Sequence, residues 1–504
     1  MANNNQPNVQ AQGLDALTEN VINVIKVSNI IGQTLGPKGA DVLVVNNIGD
    51  SITSNDGATI LTNLNITNPI IQSLVESANI LADRVGDGTT SMTVIAGKLC
   101  QYGLELKQEE GVDTVTITKG YKIALQKTDE LLERYSKEID TNDKVALKNF
   151  VKTTLTGKNS EGLESIYNIC VDAVIKTDGD LNQIRKLKPK TGSVSNTELV
   201  EGLVLDVNSP LNKMPEDIKK AKVILLDDAL ELVNPALDMK IDISGVNQYN
   251  NLIEMEKDTV IAKAKKIKEL GANVVICQRN IHDYALDYFA RNNILAVRNV
   301  PKEDLEILSK GKGTIVKNID TARKDDILIV ERAYIKEYAD ERYIVIEGNT
   351  KAVTIVIGGS NKLNQDEYER GINDALGVIK TIRKYKQYVL GGGVIEVKLA
   401  YDLREYAKTI ENGNYQAIIE KYASALEYIP KLLAQSAGMQ KLTALGKMRY
   451  NKDKDYGINV EDAEVTNLTD VLEPLELKRS IYTTATEYAN NVLRIKYILQ
   501  GRTE

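Results

Sequence analysis

The chain has 504 residues, 42% of them hydrophobic and 26% charged, enough for two to four domains of ordinary size. Its net charge of −7 argues against a nucleic-acid-binding surface, and its three dispersed cysteines (Cys100, Cys170, Cys277) suggest no disulfide framework and fit a reducing cytoplasm. No apolar stretch approaches the roughly 18–20 residues of a membrane span, and a single histidine, His282, leaves little room for Ser-His-Asp or zinc chemistry.

With no Trp and two Phe, the core has to be filled by Ile, Leu, Val, Ala and Tyr. The opening Met1 to Gly13 is polar, lacks the basic-then-apolar pattern of a secretory signal, and reads as a short disordered tail. Helical spacing of Leu17, Val21, Val24, Ile25 and Ile31 predicts a helix over 16–34, stopped by the breaker Leu35-Gly36-Pro37-Lys38-Gly39. Two apolar runs, 42–45 and 51–53, predict a hairpin across 46–50. The turn Asn55-Asp56-Gly57 follows, and helical patterns then continue to about residue 137.

From about 202 to 349 the pattern changes. Predicted strands at 222–226, 273–277, 294–297 and 314–316 alternate with predicted helices at 258–270, 284–291 and 302–309. That alternation predicts a parallel sheet with crossover helices. His282 reads as a surface residue after a strand. Beyond 349 the chain returns to helix, predicted over 365–386, 394–407, 416–438 and 480–499, with Gly391-Gly392-Gly393 as a break.

The sharpest candidate for chemistry is Val85-Gly86-Asp87-Gly88-Thr89-Thr90-Ser91 ahead of an apolar helical run. Glycines let a ligand approach the backbone, and hydroxyls with free N–H groups at a helix start can cradle a phosphate. Asp87 would repel a bare phosphate there but fits one carrying Mg²⁺. The pattern is not a Walker motif. An ordinary Gly-rich turn with a helix cap explains it equally well on these residues alone. Asp374 reads by itself as a solvated or capping acid, and 380–386 as a solvated basic helix end.

Taken in order, Thr34-Leu-Gly-Pro-Lys-Gly39, Ser54-Asn-Asp-Gly-Ala-Thr-Ile-Leu61, Val85-Gly-Asp-Gly-Thr-Thr90, Asn373-Asp-Ala-Leu376 and Gly391-Gly-Gly393 resemble the signatures of chaperonins. Thr153-Thr-Leu-Thr-Gly-Lys158, Gly271 to Gln278, Tyr456-Gly457 and Ala485 to Ile495 are similar to the group II branch, and the resemblance runs from about 14 to 498. It implies an α/β multidomain chaperonin fold. A mostly helical equatorial ATP-binding domain would span 1–140 and 391–504, a small intermediate domain 141–201 and 350–390, and an α/β apical substrate-binding domain 202–349. A helical protrusion at about 241–267 would act as a built-in lid, with no separate lid protein.

The resemblance also implies roles. Leu35, Gly36, Pro37, Asn55 and Gly57 would border the nucleotide, Asp87 hold Mg²⁺, and Gly88, Thr89, Thr90 and Ser91 hold the phosphates. Asp56 and Asp374 would position and activate water, Lys158 sense the γ-phosphate, and Gly391 and Gly392 pass close to the nucleoside. The implied activity is ATP hydrolysis driving lid closure of a cytoplasmic double ring, eight or nine identical or homologous subunits per ring, that folds unfolded clients. A segment at 463–474 that is about two residues shorter than the family pattern, with Asp470 as a candidate replacement acid, and Lys496-Tyr497 and Ala40-Asp41-Val42 depart from that pattern. They leave two other readings open: a passive holding ring, and a structural subunit of a hetero-oligomer.

Overall fold

Helix formation here starts from caps. Asn68 accepts from the N–H groups of Ile70 and Ile71 ahead of Pro69 at the first helical position, and Asp113, Asp143 and Asn412 cap later helices in the same way. The computed structural model describes residues 8–12, 14–45, 51–64, 66, 68–158, 163–190, 192–206, 213–231, 246–311, 313–338, 341–348 and 351–500. The chain divides into two compact units, Met1–Val171 with Arg370–Glu504, and Asp172–Glu369.

The first unit is mostly helical. Helix Thr89–Gln108 runs through its core, burying Met92, Val94, Ile95, Leu99, Cys100 and Leu106. Helices Leu14–Gly32, Pro69–Val85, Thr114–Tyr135, Gly413–Leu426 and Leu475–Arg494 pack on it. Each fully buried Leu or Ile is worth about 1.5–3 kcal/mol relative to exposure. Tyrosine does the work of the missing aromatics, with its hydroxyls satisfied. The Tyr121 hydroxyl donates to the Leu99 carbonyl at 2.8 Å, and Tyr422 pairs with the Thr486 hydroxyl at 2.9 Å.

The second unit holds a mixed sheet. Strands Leu295–Val297, Val274–Cys277 and Asp217–Leu226 run parallel, as does Ile315–Val316 beside Asp217–Leu226. Leu328–Tyr338, Glu341–Glu347 and Leu203–Leu205 extend the sheet antiparallel. The expectation of a parallel sheet therefore holds for four of its seven strands. The alternating run Leu328 to Tyr338 was not read as a strand, and it turns the sheet. A smaller sheet joins Ile184–Leu187, Val353–Val356 and Glu198–Glu201.

Three sequence expectations need correction. Asn8–Gln12 is a strand paired with Tyr497–Gln500, not tail. The last helix is Leu475–Arg494, starting after Pro474 and ending before that strand, rather than 480–499. The helix expected over 416–438 is two, Gly413–Leu426 and Tyr428–Ser436, separated at Glu427, a buried acid held by Arg404 and Arg449. His282, read as a residue after a strand, follows strand Val274–Cys277 and caps helix Asp283–Arg291, accepting from the Tyr284 N–H. The protrusion expected at 241–267 falls partly outside the described residues; helix Val246–Leu270 covers the rest. The hairpin strands Val42–Val45 and Ser51–Ser54 pair as expected, and their connection 46–50 lies outside the described residues. Among the described residues, no helix is long and apolar enough to cross a membrane.

Candidate functional site

Three turns of the first unit converge on one cavity of about 430 Å³, a size suited to a small organic ligand. The first turn follows helix Leu14–Gly32 and contributes Leu35, Gly36 and Pro37. The second places Asn55 and Asp56 ahead of the short helix Gly57–Asn63. There Asp56 accepts from the Thr59 N–H at 2.8 Å and its hydroxyl at 2.7 Å, while Asn55 donates to the Gly157 carbonyl at 2.7 Å. The third contributes Asp87, Gly88, Thr90 and Ser91.

The third turn opens a helix with a bare N-terminus. Gly88 has φ +91° and opens helix Thr89–Gln108, which no side chain caps. Its first N–H groups are therefore available to an oxyanion. Gly57 packs directly on this helix start: a Cβ there would lie 2.7 Å from the Thr90 hydroxyl and 3.1 Å from its backbone nitrogen. Thr89 is buried beneath and does not line the cavity.

Lys158 reaches the cavity from the loop after helix Lys144–Leu155. Its ammonium donates to the carboxylate of Asp374, on helix Lys362–Tyr385. Burial alone would lower the Lys158 ammonium, but the charges of Asp374, Asp87 and Asp56 outweigh it and hold it raised. Asp374 is pushed up to about 7. Burial is the main cause, opposed by Lys158 and reinforced by Asp87 and Asp56. The four groups sense one another as a single electrostatic cluster, although Asp374 stands behind Lys158 rather than in the cavity wall.

At the other end lie Gly392 and Gly393, the hairpin Tyr456–Asn459 with Glu464–Asn467, and the segment 466–474. Gly391 stands just behind, its N–H bonded to the Val471 carbonyl at 2.9 Å. Asp470 lines the cavity as well. The sequence reading missed Glu473 and Lys478, which also line it. Lys478 is buried and pairs with both Glu473 and Glu396, and the Tyr482 hydroxyl donates to Glu396 at 2.9 Å. Burial raises the Glu473 carboxyl, against the pull of Lys478. A lysine inside an otherwise apolar helical stripe was the available signal.

The lining carries Asp56, Asp87, Glu461, Asp470 and Glu473 against Lys152, Lys158 and Lys478. Such an acid excess accepts a phosphate chain only with an accompanying cation. Among the described residues, no group of three or more His, Cys, Asp or Glu side chains converges to hold a metal. A cation here would draw most of its ligands from water and phosphate oxygens, which is the habit of Mg²⁺.

Comparison with known proteins agrees with these motifs. The model of the TCP-1/cpn60 chaperonin family matches residues 27–503. The chain belongs to that family. It is 36% identical to the thermosome subunit of Methanopyrus kandleri over 97% of this chain and 93% of that one. It is also 36% identical to thermosome subunit alpha of Sulfolobus acidocaldarius (96% and 92% covered) and of Archaeoglobus fulgidus (97% and 93%). These similarities place it with the group II-type chaperonins.

Proposed function

We propose that this protein is an ATP-driven chaperone subunit, in which Mg-ATP hydrolysis in the cavity powers closure of a ring chamber around unfolded proteins. The observation that supports this best is the meeting of an uncapped helix start, Asp87, Asp56 and the Lys158–Asp374 pair at one cavity in a chain of this family. Thr90, Ser91 and the N–H groups behind Gly88 bind the phosphate chain, with Gly57 allowing the close packing that positions them. Asp87 would hold Mg²⁺, which when bound would supply charge neutralisation to the phosphates. Asp374 accepts a proton from the attacking water, and Asp56 orients that water. Lys158 keeps Asp374 in place and offers its ammonium to the γ-phosphate. Little covalent chemistry is asked of the protein, because phosphoryl transfer to water depends mainly on positioning and charge.

The division into equatorial (1–140, 391–504), intermediate (141–201, 350–390) and apical (202–349) domains belongs to this proposal, as do the built-in lid, the double ring of eight or nine and the cytoplasmic setting. A chemically denatured client enzyme, diluted into the purified protein, should recover activity with Mg-ATP and not with Mg-ADP. Recovery that is the same with either nucleotide would favour the passive holding reading instead.

A further inference from the structure

The cavity is lined by an excess of acids, but elsewhere in the same unit three lysines gather without a counter-charge. Lys98 stands on helix Thr89–Gln108, Lys431 on helix Tyr428–Ser436, and Lys441 at the first position of helix Lys441–Tyr450. None of them lines the cavity. Ile429 and Leu433 do, and Lys431 lies between them on the opposite face of the same helix. The acids that face the lysines are already paired. Buried Glu427 is held by Arg404 and Arg449 together, and Glu105 by Lys421 at 2.8 Å and Gln101 at 3.0 Å. Lys98 has the Gln101 side-chain oxygen at 2.8 Å and the Tyr428 ring, whose centroid is 4.1 Å from its ammonium. Lys431 and Lys441 make no hydrogen bond or ion pair among the described residues. Lys98 and Lys431 are half-buried. Burial lowers the Lys98 ammonium, Glu105 opposes, and Lys431 and Lys441 lower it further. Burial likewise lowers Lys431, against Glu427, and Arg449, Arg404 and Lys441 add to the fall. Lys441 also opens a helix that no side chain caps, the positive end, where a cation is disfavoured.

Like charges held together, partly out of water and without an acid between them, cost stability unless an anion joins them. We propose that Lys98, Lys431 and Lys441 form a binding site for a free multivalent oxyanion of the condensed-phosphate class, separate from the cavity. Each ammonium carries three N–H donors. A chain of phosphates spans several ammoniums and gives each a charge-assisted hydrogen bond, which a single chloride cannot do. The site needs no metal. The cavity, with its acid excess, takes a phosphate chain only with a cation. Removing Mg²⁺ therefore separates the two, and the lysine site stands whether or not the cavity binds nucleotide.

Tripolyphosphate would be titrated by calorimetry into the assembled protein in EDTA, at an ionic strength held constant with chloride, for the native chain and for Lys98→Met and Lys431→Met. Methionine keeps the apolar stem and removes one of the repelling charges, so both variants should fold. The native protein should bind tripolyphosphate and melt at a higher temperature in its presence. Each variant should bind it about ten-fold more weakly, the loss of one charge-assisted hydrogen bond, with Mg-ATP binding unchanged. Should either variant fail to fold, Lys441→Gln at the helix start carries the same test. A native protein that binds no Mg²⁺-free tripolyphosphate, or that chloride at the same ionic strength stabilises equally, overturns the site. Unaltered tripolyphosphate binding in the folded variants puts the anion elsewhere and overturns it as well. Failure of the native protein to bind Mg-ATP would instead overturn the cavity reading and leave the lysine site standing.

Discussion

Lys158 and Asp374, 216 residues apart in the chain, are joined by a direct hydrogen-bonded ion pair at the edge of the cavity. Each is the other's nearest opposite charge, and both sit in the field of Asp87 and Asp56. The pair ties the helix Lys362–Tyr385 to the side of the cavity lined by Lys158.

Under the proposed mechanism, that pair makes hydrolysis pH-dependent in a definite direction. Asp374 is raised to about 7 and acts as a base only when ionised. Hydrolysis at low ATP, which reports the free protein, should be full above that value and decline as pH falls through it. Lys158 lowers the Asp374 carboxyl, so Lys158→Met should move this acid limb to higher pH. A limb that stays in place in that variant would remove Asp374 from the base role.

Two glycines test how closely the Asp374 helix must approach the third turn. A Cβ on Gly377 would lie 2.6 Å from the Gly86 Cα, and one on Gly86, at φ +90°, 2.7 Å from the Gly377 Cα. Alanine normally stabilises a helix interior by up to about 1 kcal/mol relative to glycine. Here the backbones must separate, at about 1–3 kcal/mol for overpacking. Gly377→Ala should therefore lower the melting temperature and slow hydrolysis. Gly446→Ala, in helix Lys441–Tyr450 with nothing within 4 Å of its Cβ, should raise the melting temperature. Thermal melts of the two variants decide it, and shifts of the same sign would contradict the packing argument.

All three cysteines are free and buried, and burial pushes the Cys170 and Cys277 thiols up to about 12 and Cys100 higher still. A thiolate is the reactive form, so a thiol reagent should label the native protein negligibly and three sites after denaturation. Fast labelling of any one of them in the native protein would contradict the burial.

Much of this architecture was legible because it depends on local signals. The helix at 302–309 and that at 394–407 were read with their observed bounds, from apolar spacing between clear breakers. The strands expected at 273–277 and 294–297 stood out as short apolar runs beside a capping glycine or a helix end, and each starts one residue later, as Val274–Cys277 and Leu295–Val297. The Gly88 turn and the helix start at Thr89 were visible as a motif. What was not legible depends on distant partners. The strand Asn8–Gln12 looks like polar tail until Tyr497–Gln500 pairs with it. Asp374 looks like any helix acid until Lys158 reaches it. Lys478 was hidden for the same reason: its partner Glu396 lies 82 residues away in the chain. Local periodicity carries no information about such pairings.

The most direct measurement is steady-state ATP hydrolysis by the purified assembly with and without Mg²⁺, beside Asp374→Ala. The account predicts Mg²⁺-dependent turnover that falls at least about a hundred-fold in the variant, while Mg-ATP still raises the melting temperature of both proteins, because ligand that binds only the folded state stabilises it. An intact native assembly that binds Mg-ATP without turning it over, or a variant that hydrolyses at the native rate, would contradict it.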